Sequence, residues 1–104
     1  MTKEQQLKKT KQLNAKRMSP IELANYKNFI YARSGGMCQC GCSRELTEYH
    51  HVFFGINKDD RYLAAIAQHP CHYNIHHGKD VEEKKRLIEI FERVGKENWG
   101  MYTL

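Results

Sequence analysis

All four cysteines and all six histidines of this chain fall between residues 38 and 77. Cys38, Cys40 and Cys42 come first, then the pair His50-His51, then His69, Cys71, His72, His76 and His77. That crowding restricts the fold more than any other feature. A chain of 104 residues buries roughly 65% of the surface its unfolded form exposes. Its apolar core is modest, and a metal staple suits such a core. The length allows one domain, or one domain with an arm.

The compartment decides how the thiols are read. No run of about 18 apolar residues exists, so the sequence predicts no transmembrane helix. The stretch Met1-Thr2-Lys3-Glu4-Gln5-Gln6 lacks the apolar segment of a signal peptide. The expectation is a cytoplasmic protein, in which cysteines serve as metal ligands more often than as disulfides.

The formal net charge is +5, and its distribution is uneven. Residues 1–17 carry Lys3, Lys8, Lys9, Lys11, Lys16 and Arg17 against the single acid Glu4. From residue 18 onward the charges cancel. A basic arm of this kind suits a polyanion, with nucleic acid the natural candidate. The blander alternative is a solvated, frayed helix that aids solubility. Leu7 and Leu13 are the arm's only large apolar residues before Met18, so disorder without a ligand is expected there. The domain reading is an arm over residues 1–18 and a folded unit over residues 19–104.

Local signals give the elements. Ser19-Pro20-Ile21-Glu22 starts a helix, with Ser19 as cap, Pro20 at the first position and Glu22 completing a capping box. Leu23, Tyr26, Phe29, Ile30 and Arg33 keep its period, and Gly35-Gly36 stops it. Residues 38–42 form a thiol-dense turn. Residues 46–54 are rich in β-formers. A loop over residues 55–60 leads to a short second strand at residues 62–67, despite its alanines. Residues 71–77 read as a short helix ended by Gly78. Asp80 caps a last helix with Val81, Leu87, Ile88, Phe91 and Val94 on its apolar face and Gly95 as its stop. Trp99, Met101 and Tyr102 then fold back on the body.

Three clusters carry chemistry. In Tyr49-His50-His51-Val52, neighbouring strand residues point to opposite faces. The two histidines therefore divide their roles, one on a metal and one as a general base near pH 7. The alternative is one surface histidine and one packed one. In Cys71-His72-Tyr73-Asn74-Ile75-His76-His77-Gly78, His72 and His76 share one helical face and can hold one ion. Imidazole ligands suit zinc, nickel, cobalt or manganese better than magnesium. Cys38, Cys40, Cys42 and Cys71 can close a structural zinc site. The usual paired C-x-x-C knuckles are missing, because Gln39 and Gln68 stand where partners of Cys42 and Cys71 belong. Cys38 or Cys40 must serve instead, with His69 as a further candidate. The alternative is a set of free thiols, and three thiols in five residues are an oxidation liability.

The order of these parts resembles the HNH endonuclease family, the ββα-metal nucleases. Cys42 lies eight residues before His50, and Cys71-His72 looks like the Cys-His that opens the family's helix. Tyr49-His50-His51-Val52-Phe53 and Ile75-His76-His77-Gly78-Lys79 look most like the family's small phage-type recombination nucleases. The resemblance covers about residues 37–80. It implies an α+β fold with a small ββα-metal core, flanking helices and a structural zinc. It implies His51 as the general base and His50, His72 and His76 as ligands of a catalytic divalent ion, Mg, Mn, Ni or Zn. Hydrolysis of a phosphodiester to a 5′ phosphate and a 3′ hydroxyl follows, with little sequence specificity. Arg61, Lys79 and Lys58 are then placed for flanking phosphates, with Lys8, Lys9, Lys11, Lys16 and Arg17 adding electrostatic grip. His77 is a phosphate contact or a support for the site. The family's middle Asn falls at Leu63 here, and Asn57 and Asn74 are the nearest substitutes. The implied partners are DNA and a recombination or phage replication protein, in a host cytoplasm and away from any membrane.

Two other functions compete. One is a non-catalytic, zinc-stapled module that binds DNA or protein, in which the histidines complete a structural site with the cysteines. The other is a small structural protein whose histidines merely pack.

Overall fold

The computed structural model describes residues 16–53 and 59–104. Residues 1–15, with Lys8, Lys9 and Lys11, and residues 54–58, with Asn57 and Lys58, lie outside it. So do most of the expected arm and most of the expected loop after the first strand.

The local signals place both ends of the first helix. Helix α1 spans Pro20–Ser34. Ser19 Oγ accepts the Glu22 N–H at 3.2 Å, which satisfies one of the four unpaired donors of the first turn. Gly35 ends the helix in the left-handed region at φ 67, where a side chain is strained. Strands β1 (Glu48–His51) and β2 (Leu63–Ile66) pair antiparallel, with His50 opposite Ala64 and His51 opposite Leu63. Both are shorter than the sequence predicts. A wide turn over Gln68–His72 leads into α2 (Tyr73–His77), and α3 spans Val81–Tyr102. Among the described residues this is an α+β fold of three helices and one two-stranded sheet, the class expected from the sequence.

Strand β2 is the buried centre. Its Leu63 and Ala65 pack with Tyr26 and Ile30 of α1. Its Ala64 and Ile66 pack with Ile75 of α2 and with Leu87 and Phe91 of α3. Helices therefore cover both faces, and the alanines that weaken a strand by propensity let those helices approach closely. The outer edge of β2 is closed by side chains. Gln39 donates its N–H to Ala65 O and accepts the Ala65 N–H on Oε1, both at 2.9 Å. Asn98, fully buried on α3, donates to Gln39 Oε1 at 2.9 Å and to Leu63 O at 2.8 Å. Arg33 of α1 donates to Asn98 Oδ1 at 3.0 Å. An edge that would otherwise bury unpaired backbone is thus bonded at Leu63 O and at both polar groups of Ala65.

The structure corrects the sequence reading of α3. Gly95 does not stop the helix, which runs on to Tyr102 and carries Trp99 against Tyr26, ring centroids 5.6 Å apart. Gly95 is buried where α3 crosses the end of β1. A Cβ there meets Val52 Cγ2 at 2.6 Å. Its glycine answers a close approach, not a turn. Val81, expected on the apolar face, is 74% exposed at the first helical position.

The two glycines of α3 give opposite expectations. Gly95→Ala is expected to destabilise by about 1–3 kcal/mol through overpacking, despite better helix propensity. Gly100, with open space around it, is expected to gain up to about 1 kcal/mol on the same change. Urea melts of both variants check the pair, and equal shifts of one sign would overturn this reading of Gly95.

Two candidate metal centres

Residues 38–42 fold as a tight turn because Gly41 and Ser43 adopt left-handed conformations at φ 86 and 64. The Cys38 N–H donates to Arg44 O at 2.8 Å, and Met37 bridges Glu45. This curl gathers Cys38, Cys40 and Cys42. Cys71 reaches them from the wide turn, in which the His72 N–H bonds back five residues to Ala67 O at 3.0 Å. The four Sγ atoms lie within 4.8 Å of one another. The Sγ separations Cys38–Cys40, Cys40–Cys71 and Cys42–Cys71 are 3.5, 3.4 and 3.6 Å. A tetrahedral zinc with 2.3 Å bonds sets ligand sulfurs roughly 3.8 Å apart, so the four thiols fit one ion with small adjustments. Burial, with the neighbouring Cys38 and Cys42 sulfurs, pushes the Cys40 thiol up, and burial does the same to Cys71. Burial also opposes ionisation of Cys42, yet the Arg44 backbone N–H and the adjoining thiols pull it below the usual range. Four sulfurs this close do not all ionise without a cation among them. His69 stands apart from the set and stacks on Tyr73 at 5.4 Å.

The second centre lies on the other side of the same turn. His50 Cβ projects inward from β1, and the side chain is 6% exposed against Phe91. His72 and His76 come from the turn and α2. The ligand nitrogens of the three lie within 4.8 Å of one another. His72 Nε2 and His76 Nε2 are 3.0 Å apart, close to the roughly 3.4 Å that nitrogens at 2.0–2.1 Å from a tetrahedral ion would show. Burial, then the charges of His72, His76 and His51, hold the His50 imidazole down to about 3. His50 is therefore neutral at pH 7, the form that ligates. Burial and the His72, His77 and Lys84 charges lower His76 in the same direction. Three imidazoles would leave one position of a tetrahedral ion to a further ligand. His77 stays outside the triad, tilted against Tyr73 at 5.3 Å.

Two acidic residues complete the surroundings, and sequence reasoning missed both. Glu48 Oε1 accepts from His72 Nδ1, which leaves His72 Nε2 free to face the triad. Its signal was present, since Glu48 and His50 are two apart on a strand and share a face. Asp60, 1% exposed, holds His51 on the opposite face of β1, with Oδ1 2.8 Å from His51 Nε2. Burial opposes its ionisation, but the Met18 N–H, His51 and Arg17 hold its carboxyl below the usual range. No spacing rule announces an aspartate nine residues from its histidine across a loop.

Of the expected phosphate contacts, Lys16, Arg17 and Arg61 meet around Asp59 and Asp60. Arg61 is bonded through Nε and NH2 to both oxygens of Asp59, at 3.0 and 2.8 Å. Lys79 and Lys16 are exposed, and Arg17 lies 3.3 Å from Asp60. Leu63, at the position of the family's Asn, gives its carbonyl to Asn98. Asn74 accepts the Gly78 N–H and closes α2. Among the described residues no helix is long and apolar enough to cross a membrane. No family model, curated protein or solved structure matches this chain.

Glu48→Gln is expected to weaken metal binding at the histidine centre by about 10–100-fold, as loss of such outer partners does. Competition titration with zinc, on protein whose thiol centre is already filled, reads the change. Unaltered affinity would reduce Glu48 to a bystander.

Proposed function

We propose that this chain is a metal-dependent DNA endonuclease of the HNH type, with a ββα-metal core over β1, β2 and α2. The observation that supports the reading is the open three-histidine site with a separate, carboxylate-held histidine next to it in the chain. An ion bound by His50, His72 and His76 supplies charge stabilisation for the phosphate and its departing 3′ oxygen.

The protein's own groups do the rest. The ionised Asp60 accepts the Nε2 proton of His51, so the neutral ring keeps its lone pair on Nδ1. His51 Nδ1 takes a proton from the attacking water as that water closes on phosphorus. The water's oxygen forms a bond to phosphorus, the bond to the 3′ oxygen breaks, that oxygen takes a proton from a solvent water, and the products carry a 5′ phosphate and a 3′ hydroxyl. Glu48 fixes the His72 ring. Cys38, Cys40, Cys42 and Cys71, as a structural zinc site, fix the turn from which His72 emerges. Backbone grip comes from the basic arm with Lys79 and, beside its Asp59 pairing, Arg61. Such grip is sensitive to salt and indifferent to sequence. A recombination or phage replication protein that delivers the DNA belongs to the same proposal.

The test is incubation with supercoiled plasmid while magnesium, manganese, nickel, cobalt and zinc are scanned. Nicking that depends on the metal, with two metals per chain and only one readily exchanged, is expected. A protein that retards DNA, holds one chelator-resistant zinc and cuts with no metal is a zinc-stapled binding module instead.

A further inference from the structure

The segment just before α1 is wrapped around the carboxylate that holds His51. Asp60 Oδ2 accepts the Met18 N–H at 2.8 Å. Arg17 Nε lies 3.3 Å from the same oxygen. The Asp60 N–H donates to Lys16 O at 2.9 Å. Oδ1 is left for His51 Nε2, at 2.8 Å. One backbone hydrogen bond and an ion pair therefore clamp the nearly inaccessible Asp60 carboxylate, and a second backbone hydrogen bond holds its main chain, all from residues 42 to 44 positions earlier in the chain.

We propose that residues 16–18 are a positioning element of the site: the Met18 N–H and Arg17 fix the Asp60 carboxylate, and through it the His51 ring. This rests on the nuclease reading for its catalytic consequence. A carboxylate bonded on one oxygen turns about its Cβ–Cγ bond, and one bonded on both does not. Next to it, Asp59 donates its N–H to Phe53 O at 3.4 Å and pairs with Arg61, and the clamp from residues 16–18 adds the bonds to Asp60 itself. The root of the basic arm is thus part of the apparatus that aims the base, beyond any grip on DNA. The arm and the base are joined by one carboxylate.

Misplacing a reacting group by about 1 Å costs on the order of 100-fold in rate. Met18→Pro removes the one N–H and keeps every charge of the arm. It is expected to lower kcat about 10- to 100-fold with KM within about twofold, in the full chain with both metal centres loaded. Met18→Leu restores the N–H with similar bulk and is expected to restore kcat. Arg17→Gln, which leaves the backbone alone, is expected to lower kcat by a smaller factor, and Arg17→Lys to recover part of it. Melting curves and zinc content are recorded for each variant. If Met18→Pro does not fold, Arg17→Gln carries the test. The second readout needs no turnover: the His51 ring-nitrogen resonances, with a protected Nε2–H in the parent and a faster-exchanging one in Met18→Pro and Arg17→Gln. Parent-like kcat and an unchanged His51 signal would show a merely structural latch and overturn the proposal. A parent that cuts no DNA overturns the nuclease reading instead, and the His51 signal then still decides whether the clamp exists.

Discussion

A His51→Ala protein is expected to keep its fold, both metals and its DNA affinity, and to lose plasmid nicking by about two to four orders of magnitude. That range is what a positioned general base contributes. The expectation separates two adjacent histidines by the faces of β1. His50 points into the triad and is buried, so His50→Ala should lose the exchangeable metal. His51 points the other way to Asp60, so its loss should leave metal titrations as they were. Asp60→Asn is expected to fall nearly as far as His51→Ala, because an amide no longer enforces the tautomer with its lone pair on Nδ1. Nicking rates and metal titrations run together make the comparison sharp. A folded His51→Ala protein that nicks at the parent's rate removes His51 from the chemistry, and one that loses its metal merges the two roles this geometry keeps apart.

The second large effect concerns the thiol centre. Cys71→Ser is expected to abolish cooperative folding at 37 °C, and stripping metal from the parent with a strong chelator should do the same. Apparent binding energies of structural zinc are about 10–16 kcal/mol, as large as the whole stability of a small domain, about 5–15 kcal/mol. Cys71 joins two layers, since its Sγ meets the turn of residues 38–42 while its backbone begins the segment that carries His72 and His76. Melting followed by circular dichroism, with zinc counted before and after chelation, gives the answer. A melting curve indifferent to the chelator would mean that the four thiols pack without an ion.

Much of this was legible in the residues because it depends on neighbours in the chain. Ser19-Pro20 and Asp80 announce helix starts, and both cap as such residues do. His72 and His76 meet because four residues make about one helical turn. His50 and His51 separate because strand residues alternate. Glu48 was open to the same alternation. Gly95 misled because a glycine late in an apolar stripe looks like a stop, whereas the approach of Val52 from another element explains it. Asn98 and Gln39 gave no sign that they would close the edge of β2, since they lie 59 residues apart.

The sequence by itself determined the inventory: the helix caps, the alternation of the paired histidines, the ligand residue types and the surplus of charge on the arm. Each follows from the backbone geometry of adjacent residues or from composition. Tertiary structure alone decided the groupings. It gathered Cys38, Cys40 and Cys42 with Cys71 and left His69 out. It set Asp60 behind His51 and fastened residues 16–18 to that same carboxylate. Those choices depend on how a buried strand, two helix faces and a wide turn pack around one another. Contacts between distant residues form only where burial and hydrogen bonding offset the entropy of bringing the chain together, and that balance belongs to the whole fold.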